Sequence, residues 1–402
     1  MQHLDRKPRV LVLTSTFPRW KDDTEPRFVL DLCRYLSEYA EVRVLAPHAP
    51  GAALDEVLEH IQVRRFRYFV PAWQAVTNQG GIAARLAENR WRALQLPFFF
   101  VAFWFSSLRI LREWKPDLIH AHWIIPQGLV ACLAARNRIP VLCTSHGGDL
   151  YGLQSGLFQA LKAWTLKRCR SVSVVSRGMV QQVKSLAPGT PVEVIPMGTD
   201  LQSLFTPPQN PGVRKDNEIV FVGRLVEKKG LRYLLEAFAT LRRDRSDLHL
   251  TIAGDGPLRK EVLNQVSVLG QENNVQLLGG MPQRELPEIY RRATVAAFPF
   301  VVAGDGDQEG FGLVIAEAMG CGCPVIASDL PAIGQSIEPG VTGILTPPGD
   351  PVALANALRQ CLDDAMLRSR LAMSALASVR KQFDWPSIAA QYAQTIENCT
   401  RR

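Results

Sequence analysis

Residues 309–327 read EGFGLVIAEAMGCGCPVIA, and this string constrains the chain more than any other. Glu309 opens it, followed by Gly310, Phe311 and Gly312. A helical pattern comes next, with Leu313, Val314 and Ala318 apolar and Glu317 polar among them. Cys321 to Cys323 breaks the helix, and Pro324 to Ala327 reads as a buried strand. Loop, helix and strand make the half-unit of a parallel α/β sheet. Gly310 and Gly312 have no Cβ, so backbone can approach a ligand closely. N–H groups at the helix start then face an anion, which the helix dipole also favours. Glu309 stands at the mouth of this loop, and Glu317 lies deeper, within the helix. Two glutamates at this spacing also occur on an ordinary solvated crossover helix.

At 402 residues and 47% hydrophobic, the chain is too long for one core. Two domains of roughly 150 to 200 residues fit better. The eight cysteines follow no secreted pattern, and Cys321 with Cys323 form C-x-C rather than a C-x2-C zinc knuckle. All eight are expected to be reduced and mostly buried, in a cytoplasmic protein. The apolar run near the N-terminus reads as a first strand, not as a signal peptide. The net charge of +8 is uneven: residues 1–200 hold 25 Lys+Arg against 16 Asp+Glu, and residues 201–402 hold 21 against 22. The first half therefore points to an anionic partner. No zinc finger or RNP-like string accompanies that charge, which argues against nucleic acid.

Along the chain, Arg9 to Leu13 reads as a parallel strand, followed by the loop 14–27 and a helix over about 28–39. Further strands are expected at 42–46, 117–120, 141–144, 171–175 and 192–195. Helices are expected at 128–135, 157–169 and 179–186, the last capped by Ser176. Residues 1–205 thus form one α/β domain. The Pro-, Gly- and charge-rich stretch 206–216 reads as a linker. A second alternation fills 217–384, with strands near 219–222, 248–253, 275–278, 294–298, 324–327 and 343–345. Helices near 231–241, 257–268, 285–291, 312–320 and 351–361 lie between them, and a last helix occupies 385–402.

A second motif, Phe221 to Gly230 (FVGRLVEKKG), ends a strand at Gly223. Arg224 and Lys229 fall on the loop at its carboxyl edge, where a guanidinium fork and a point charge suit a diphosphate. Gly254 and Gly256 form another glycine turn before a helix, and Gly279-Gly280-Met281 follows a strand. In the first half, SHGGD places His146 at a strand end, with Asp149 nearby. His120, His122 and His146 suggest a metal cluster, yet no acidic or cysteine ligand joins them at a convincing spacing. Asp305-Gly306-Asp307 could be a metal-binding D-x-D, but it sits in a glycine-rich loop and reads as loop.

Taken together, 309–327 and 221–230 resemble the signatures of the retaining glycosyltransferases of family 4, the E-x7-E group 1 enzymes. The resemblance implies the GT-B fold, an α/β architecture of two Rossmann-like domains with parallel sheets facing across a cleft. It also implies a last helix that returns to the N-terminal domain. The implied reaction moves a sugar from a nucleotide diphosphate sugar to an acceptor hydroxyl with retained configuration. Arg224 and Lys229 would bind the donor diphosphate with Gly223 and the helix start at Phe311, Gly312 and Leu313. Gly254 and Gly256 would line the nucleotide pocket, and Met281 would meet the base through its main chain. Glu309 would hold sugar hydroxyls, Glu317 the ribose, and His146 the transferred sugar. Asp149 would lie near the acceptor. No metal or other cofactor is expected. The loop Ser15-Thr16-Phe17-Pro18 departs from the family, which carries a glycine pair there. A nucleotide-sugar 2-epimerase and a non-catalytic lipid- or partner-binding protein share the fold and remain alternatives.

Residues 61–115 carry a last signal. Arg64, Arg65 and Arg67 interleave with Phe66, Tyr68, Phe69 and Trp73. An aromatic run from Ala93 to Phe105 is then flanked by arginines. The run is expected to be too short to span a bilayer and to be interrupted by Pro97. It suits a helix lying at an anionic membrane surface, which makes a lipid-linked or polysaccharide acceptor and a peripheral membrane location the expectation. A buried core helix with basic ends is the other reading.

Overall fold

The computed structural model describes residues 6–21, 23, 25–77, 81–210 and 214–401. The chain divides into two compact units. One runs to Pro196 and takes in the chain from Trp385 onward; the other is Met197–Asp384.

In the first unit the strands are β1 (Arg9–Leu13), β2 (Glu41–Pro47), β3 (Asp55–Leu58), β4 (Ile61–Phe66), β5 (Leu118–His122), β6 (Val141–Ser145), β7 (Ser171–Val174) and β8 (Val192–Val194). They form one sheet in the order β3-β4-β2-β1-β5-β6-β7-β8. All neighbours are parallel except the β3–β4 pair at the edge. Its helices are α1 (Phe28–Leu36), α2 (Gly81–Glu88), α3 (Leu96–Trp114), α4 (Leu129–Ala135), α5 (Gly148–Tyr151), α6 (Gly156–Leu166) and α7 (Val180–Leu186). Both faces of a parallel sheet are covered, so β1 reads as a nearly unbroken apolar run and all five residues of β5, His120 and His122 included, are buried. On α1 the positions Val29, Leu32, Cys33 and Leu36 recur at helical spacing and are buried against that sheet. Burying each such side chain contributes about 1.5–3 kcal/mol.

In the second unit the strands are β9 (Glu218–Val222), β10 (His249–Ala253), β11 (Val275–Gly279), β12 (Val295–Phe298), β13 (Val325–Ser328) and β14 (Ile344–Thr346). Their order is β11-β10-β9-β12-β13-β14, all parallel. Helices α8 (Leu231–Arg242), α9 (Arg259–Val268), α10 (Leu286–Arg292), α11 (Leu313–Gly320), α12 (Pro351–Asp363) and α13 (Ala365–Phe383) complete it. The chain's last helix, α14 (Trp385–Thr400), belongs to the first unit. Trp385 stacks on Tyr35 of α1 at 6.3 Å, and Ile388, Tyr392 and Ile396 join the first core.

Each sheet reverses its strand order once, between β1 and β5 and between β9 and β12. At such a point the two following loops diverge and leave a crevice at the carboxyl edge.

Several expectations change. The boundary moves from 205 to 196, because Thr199 N–H donates to Phe383 O and Leu201 and Phe205 pack at Gly320. The stretch read as a linker is packed on the second unit: Arg291 holds the carbonyls of Leu204 and Thr206, and Arg214 those of Ala293 and Gly322. Residues 211–213 of that stretch lie outside the described residues. Ser176 does not cap a helix; its hydroxyl is buried without a partner among the described residues. The long helix α13, the edge strand β3 and its neighbour β4 were not foreseen.

The basic-aromatic segment also resolves differently. Arg65 is buried, bonded to Pro18 O at 2.9 Å and paired with Glu56, so it faces no partner. Phe66 and Tyr68 are core residues. Pro97 does not interrupt α3 but sits in its first turn, where a missing N–H costs nothing. The stretch Arg90–Trp114 is then long and apolar enough to cross a bilayer by length and composition. Packing is what ties it to the unit: Phe99 and Phe103 are fully buried, and Phe103 stacks on Phe66 at 4.7 Å.

Candidate active site

The crevice of the second sheet lies between the ends of β9 and β12. β9 leads into Gly223 and Arg224, and the turn Glu227–Lys229 enters α8. β12 leads into Pro299 and Phe300. The two loops are locked together at Gly230, whose φ is +63°. A Cβ there would lie 1.8 Å from Pro299 O, so no other residue fits this approach. Val301 N–H donates to Lys228 O at 2.9 Å across the same seam. Gly254 and Gly256 serve the next seam: a Cβ on either would strike Gly223 O or Leu225 O. Glycine here permits contact between loops, and the carboxyl edge is held as one surface.

On that surface Lys229 Nζ lies 2.6 Å from Glu309 Oε2 and 4.6 Å from the centre of the Phe300 ring. Glu309 Oε1 accepts from Gly312 N–H at 3.2 Å, at the start of α11, where Gly312 takes φ +76°. Burial pushes the Glu309 carboxyl up, but the charges of Lys229 and Lys228, with the two hydrogen bonds, overcome this and bring it down to about 2. It is therefore ionised at any working pH. Lys228 pairs with Asp307 at 3.0 Å, and Asp307 N–H donates to Asp305. The D-x-D string is thus folded as a turn whose second carboxylate is held by a lysine. Arg224 is half-buried on the same loop as Lys229.

Glu317 is buried on α11. Gln283 donates to its Oε1 at 3.1 Å and the Tyr290 hydroxyl to its Oε2 at 3.4 Å. Burial dominates and raises the carboxyl to about 7, against these hydrogen bonds. Two carboxylates eight residues apart are thus driven in opposite directions by their surroundings. Met281 lies two residues beyond Gly279, the end of β11, whose carbonyl accepts from Gly254 N–H. The Phe311 side chain turns inward onto Phe383 at 5.2 Å, which leaves only its backbone for a ligand.

The crevice of the first sheet has another character. His122 at the end of β5 and His146 just beyond β6 lie ring on ring, with His122 Nδ1 and His146 Nε2 3.0 Å apart. His120 lies beside His122 and bonds to the Thr144 hydroxyl at 2.7 Å. Phe28 and Trp123 flank His146 at 5.0 and 4.9 Å. Burial brings His146 and His120 down to about 3, so both imidazoles are neutral. Asp149 is occupied by the loop itself: it accepts from Ile124 N–H, His146 N–H and the Ser145 hydroxyl, at 2.8 to 3.1 Å. Asp149 thus braces the loop that carries His146. Among the described residues no group of three His, Cys, Asp or Glu side chains is arranged to hold a metal ion.

Sequence reasoning missed Gln283, Tyr290, Phe300 and the Lys228–Asp307 pair. Lys228 was visible beside Lys229, but its partner lies 79 residues away. Gln283 and Tyr290 carry no local signal at all. All eight cysteines are buried and unpaired, as expected.

One parallel sheet and one that is parallel but for its edge pair, each with a loop-built crevice at a switch in strand order, define a protein of two Rossmann-like units. Known proteins narrow that class. Residues 26–203 match Glycosyltransferase Family 4, and residues 205–377 match Glycosyl transferases group 1. The glycogen synthase of Mycobacterium tuberculosis is 30% identical over 293 residues, covering 70% of this chain and 69% of that one. A phosphatidyl-myo-inositol mannosyltransferase of Mycobacterium leprae is 29% identical over 361 residues, covering 89% and 88%. Among solved structures, the sucrose-phosphate synthase of Thermosynechococcus elongatus superposes with a TM-score of 0.76 at 21% identity, over 98% of this chain and 99% of that one. Anabaena HepE in complex with UDP-glucose gives 0.74 at 22% identity, over 97% and 100%. The chain belongs to the family 4 glycosyltransferases, and its fold is GT-B.

Proposed function

We propose that this glycosyltransferase is a retaining hexosyltransferase that takes its sugar from a nucleotide diphosphate sugar. The observation that carries the reading is the Lys229–Glu309 pair at the crevice of the second sheet, beside Arg224 and the start of α11. Lys229 has three N–H donors; one meets Glu309 and one faces the Phe300 ring, so a third is left for a phosphate oxygen. Arg224 adds a planar fork that matches phosphate. At an effective dielectric of about 20, each such contact at about 4 Å is worth roughly 4 kcal/mol before desolvation.

Bond breaking between the sugar carbon and the diphosphate leaves an oxocarbenium-like centre and a departing nucleotide diphosphate trianion. Arg224, Lys229 and the N–H groups at the start of α11 stabilise that departing charge. Glu309, held ionised, accepts hydrogen bonds from sugar hydroxyls, while Glu317 accepts from the ribose. Gly223, Gly254, Gly256 and Met281 offer backbone to the nucleotide. His146 is assigned to the transferred sugar, where a neutral imidazole exchanges hydrogen bonds with a hydroxyl. The leaving phosphate takes the proton of the acceptor hydroxyl as the new bond forms on the same face, so no separate base is required. Arg224 and Lys229 also remove the need for a divalent ion. The acceptor fits a glycolipid or a cell-surface polysaccharide, consistent with the basic first unit.

The test is to incubate the protein with UDP-, GDP- and ADP-sugars and candidate acceptors, follow nucleotide release, and read the product's anomeric configuration by NMR. An inverted product overturns the retaining mechanism. Release of a free, epimerised sugar without any acceptor overturns the transfer reading.

A further inference from the structure

Helix α3 is apolar on two opposite faces. Phe99, Phe103, Ile110 and Trp114 are buried in the first unit. Phe98, Val101 and Phe105 form an outer stripe and are 57%, 54% and 60% exposed. A helix resting on a sheet in water ordinarily turns polar residues outward, and a contiguous exposed apolar patch marks a contact surface. Helix α6 adds a second outer apolar stripe. Leu157 is 70% exposed, and Leu161 and Trp164 follow it at helical spacing before Arg168.

Between these stripes and α4 lies a cavity of about 590 Å³, walled by Trp104, Leu133 and Trp164, with Arg136 and Arg168 among its lining. The Trp104 ring is 5.0 Å from that of Phe105, so the α3 stripe continues into the cavity. Trp104 Nε1–H is buried there without an acceptor among the described residues. A tryptophan in such a place ordinarily finds an oxygen.

Charge is as one-sided as hydropathy here. Residues 118–192 contain eight Lys or Arg and a single acid, Asp149, which is consumed in the His146 loop. Among the described residues none of Arg136, Arg138, Arg168 and Arg170 forms an ion pair, although the Lys/Arg-to-acid pairs elsewhere in the chain are many. The Arg168 guanidinium instead lies 4.0 Å over the Trp164 ring.

We propose that this face of the first unit docks on an anionic phospholipid bilayer. The outer stripes of α3 and α6 enter the interfacial layer, a lipid chain fills the cavity, and Arg136 and Arg168 meet headgroup phosphates. Aromatic side chains backed by arginines are the composition that interfacial helices use. A soluble polyanion leaves the phenylalanines unexplained. A symmetric contact with a second copy brings the same positive patch against itself. Because its inner stripe is in the core, α3 lies on the bilayer instead of crossing it.

The test needs neither sugar donor nor acceptor, so it stands apart from the catalytic reading. The protein is sedimented with vesicles of phosphatidylcholine alone and of phosphatidylcholine with phosphatidylglycerol, at low and high salt. Binding is expected to the anionic vesicles only and to fall with salt. Each arginine contributes about fivefold, so Arg136→Ser with Arg168→Ser weakens partitioning roughly 25-fold. Phe98→Ser with Phe105→Ser weakens it by at least about tenfold. The exposed pair Arg380→Ser and Lys381→Ser on α13 serves as a control and changes nothing. Circular dichroism establishes that the outward variants fold; should the phenylalanine pair fail, the arginine pair still decides. No binding to anionic vesicles, or binding that neither pair alters, overturns the proposal. So does a dimer in solution that the stripe variants dissociate.

Discussion

The two sheets present crevices of the same topology and opposite electrostatics. In the second unit, Lys229, Lys228, Glu309 and Asp307 bring full charges to the carboxyl edge and pair them at 2.6 and 3.0 Å. In the first, His122, His146, Trp123 and Phe28 bring aromatic rings, and burial keeps the imidazoles neutral. Topology thus makes a crevice in both units, and side chains decide what it holds. A charged edge suits the dianionic end of a donor, whereas a neutral aromatic one suits a polyol that stacks and exchanges hydrogen bonds.

The largest effect should come from the charged crevice. Lys229→Ala should cost roughly 10² to 10³ in turnover, as for a lost donor to developing charge. It also takes the ion-pair partner from the largely buried Glu309, which keeps only the Gly312 N–H and the charge of Lys228, and should lower stability by about 1–3 kcal/mol. Adding Glu309→Gln should restore the melting temperature but not the activity, which calorimetry and a transfer assay can separate. If activity returns along with stability, the pair is structural only.

His146→Ala should cost roughly 10²-fold in kcat by loosening the sugar's orientation, with nucleotide affinity unchanged. Because the imidazole is held down at about 3, the wild-type pH–rate profile should show no limb near the ordinary histidine value. A limb there that vanishes in the variant would break the description of this crevice as neutral.

A smaller effect belongs to Glu317. Its carboxyl is raised from 4.5 to about 7 by burial, so the unfolded state ionises first as pH rises. The stability it contributes is fully present below about 4.5 and is lost as pH climbs through about 7, a change of about 3 kcal/mol. Glu317→Gln should therefore gain on the wild type by that order between about pH 4 and about pH 8, as thermal melting will show. Ribose binding should likewise strengthen in the wild type as Glu317 ionises, and this pH dependence should disappear in the variant.

The smallest expected effect is that of EDTA. If Arg224 and Lys229 hold the diphosphate as proposed, and with Asp307 held by Lys228, chelation should leave the rate unchanged. Activity that vanishes in EDTA and returns with Mn or Mg would make Asp305 and Asp307 part of the site.

Much of this was legible in the chain. Strands β9 to β14 are short apolar runs separated by helical periodicity, and both patterns are local. The glycines of the loops are visible as well, but what Gly230 and Gly254 admit is not local: a Cβ on them would strike Pro299 O and Gly223 O, backbone of other loops. The membership in family 4 rests on such contiguous strings. Other features depend on partners far along the chain. Arg65 looked like a surface cation because its neighbours alternate, yet Pro18 O and Glu56 draw it inside. Pro97 looked like a break, but a helix tolerates proline in its first turn, and only the packing of Phe99 and Phe103 fixes where that turn lies. Glu309 and Glu317 were visible as a pair, while their contrasting ionisation was not. Lys229 reaches Glu309 from 80 residues away, and Gln283 and Tyr290 reach Glu317 from 34 and 27. The sequence by itself determined the alternation of strands and helices, the glycine turns and the family, because backbone propensity and periodicity act between near neighbours. Only the tertiary structure decided which charges pair, which are buried and which face of α3 is left uncovered, because desolvation and Coulomb attraction depend on distance in space rather than along the chain.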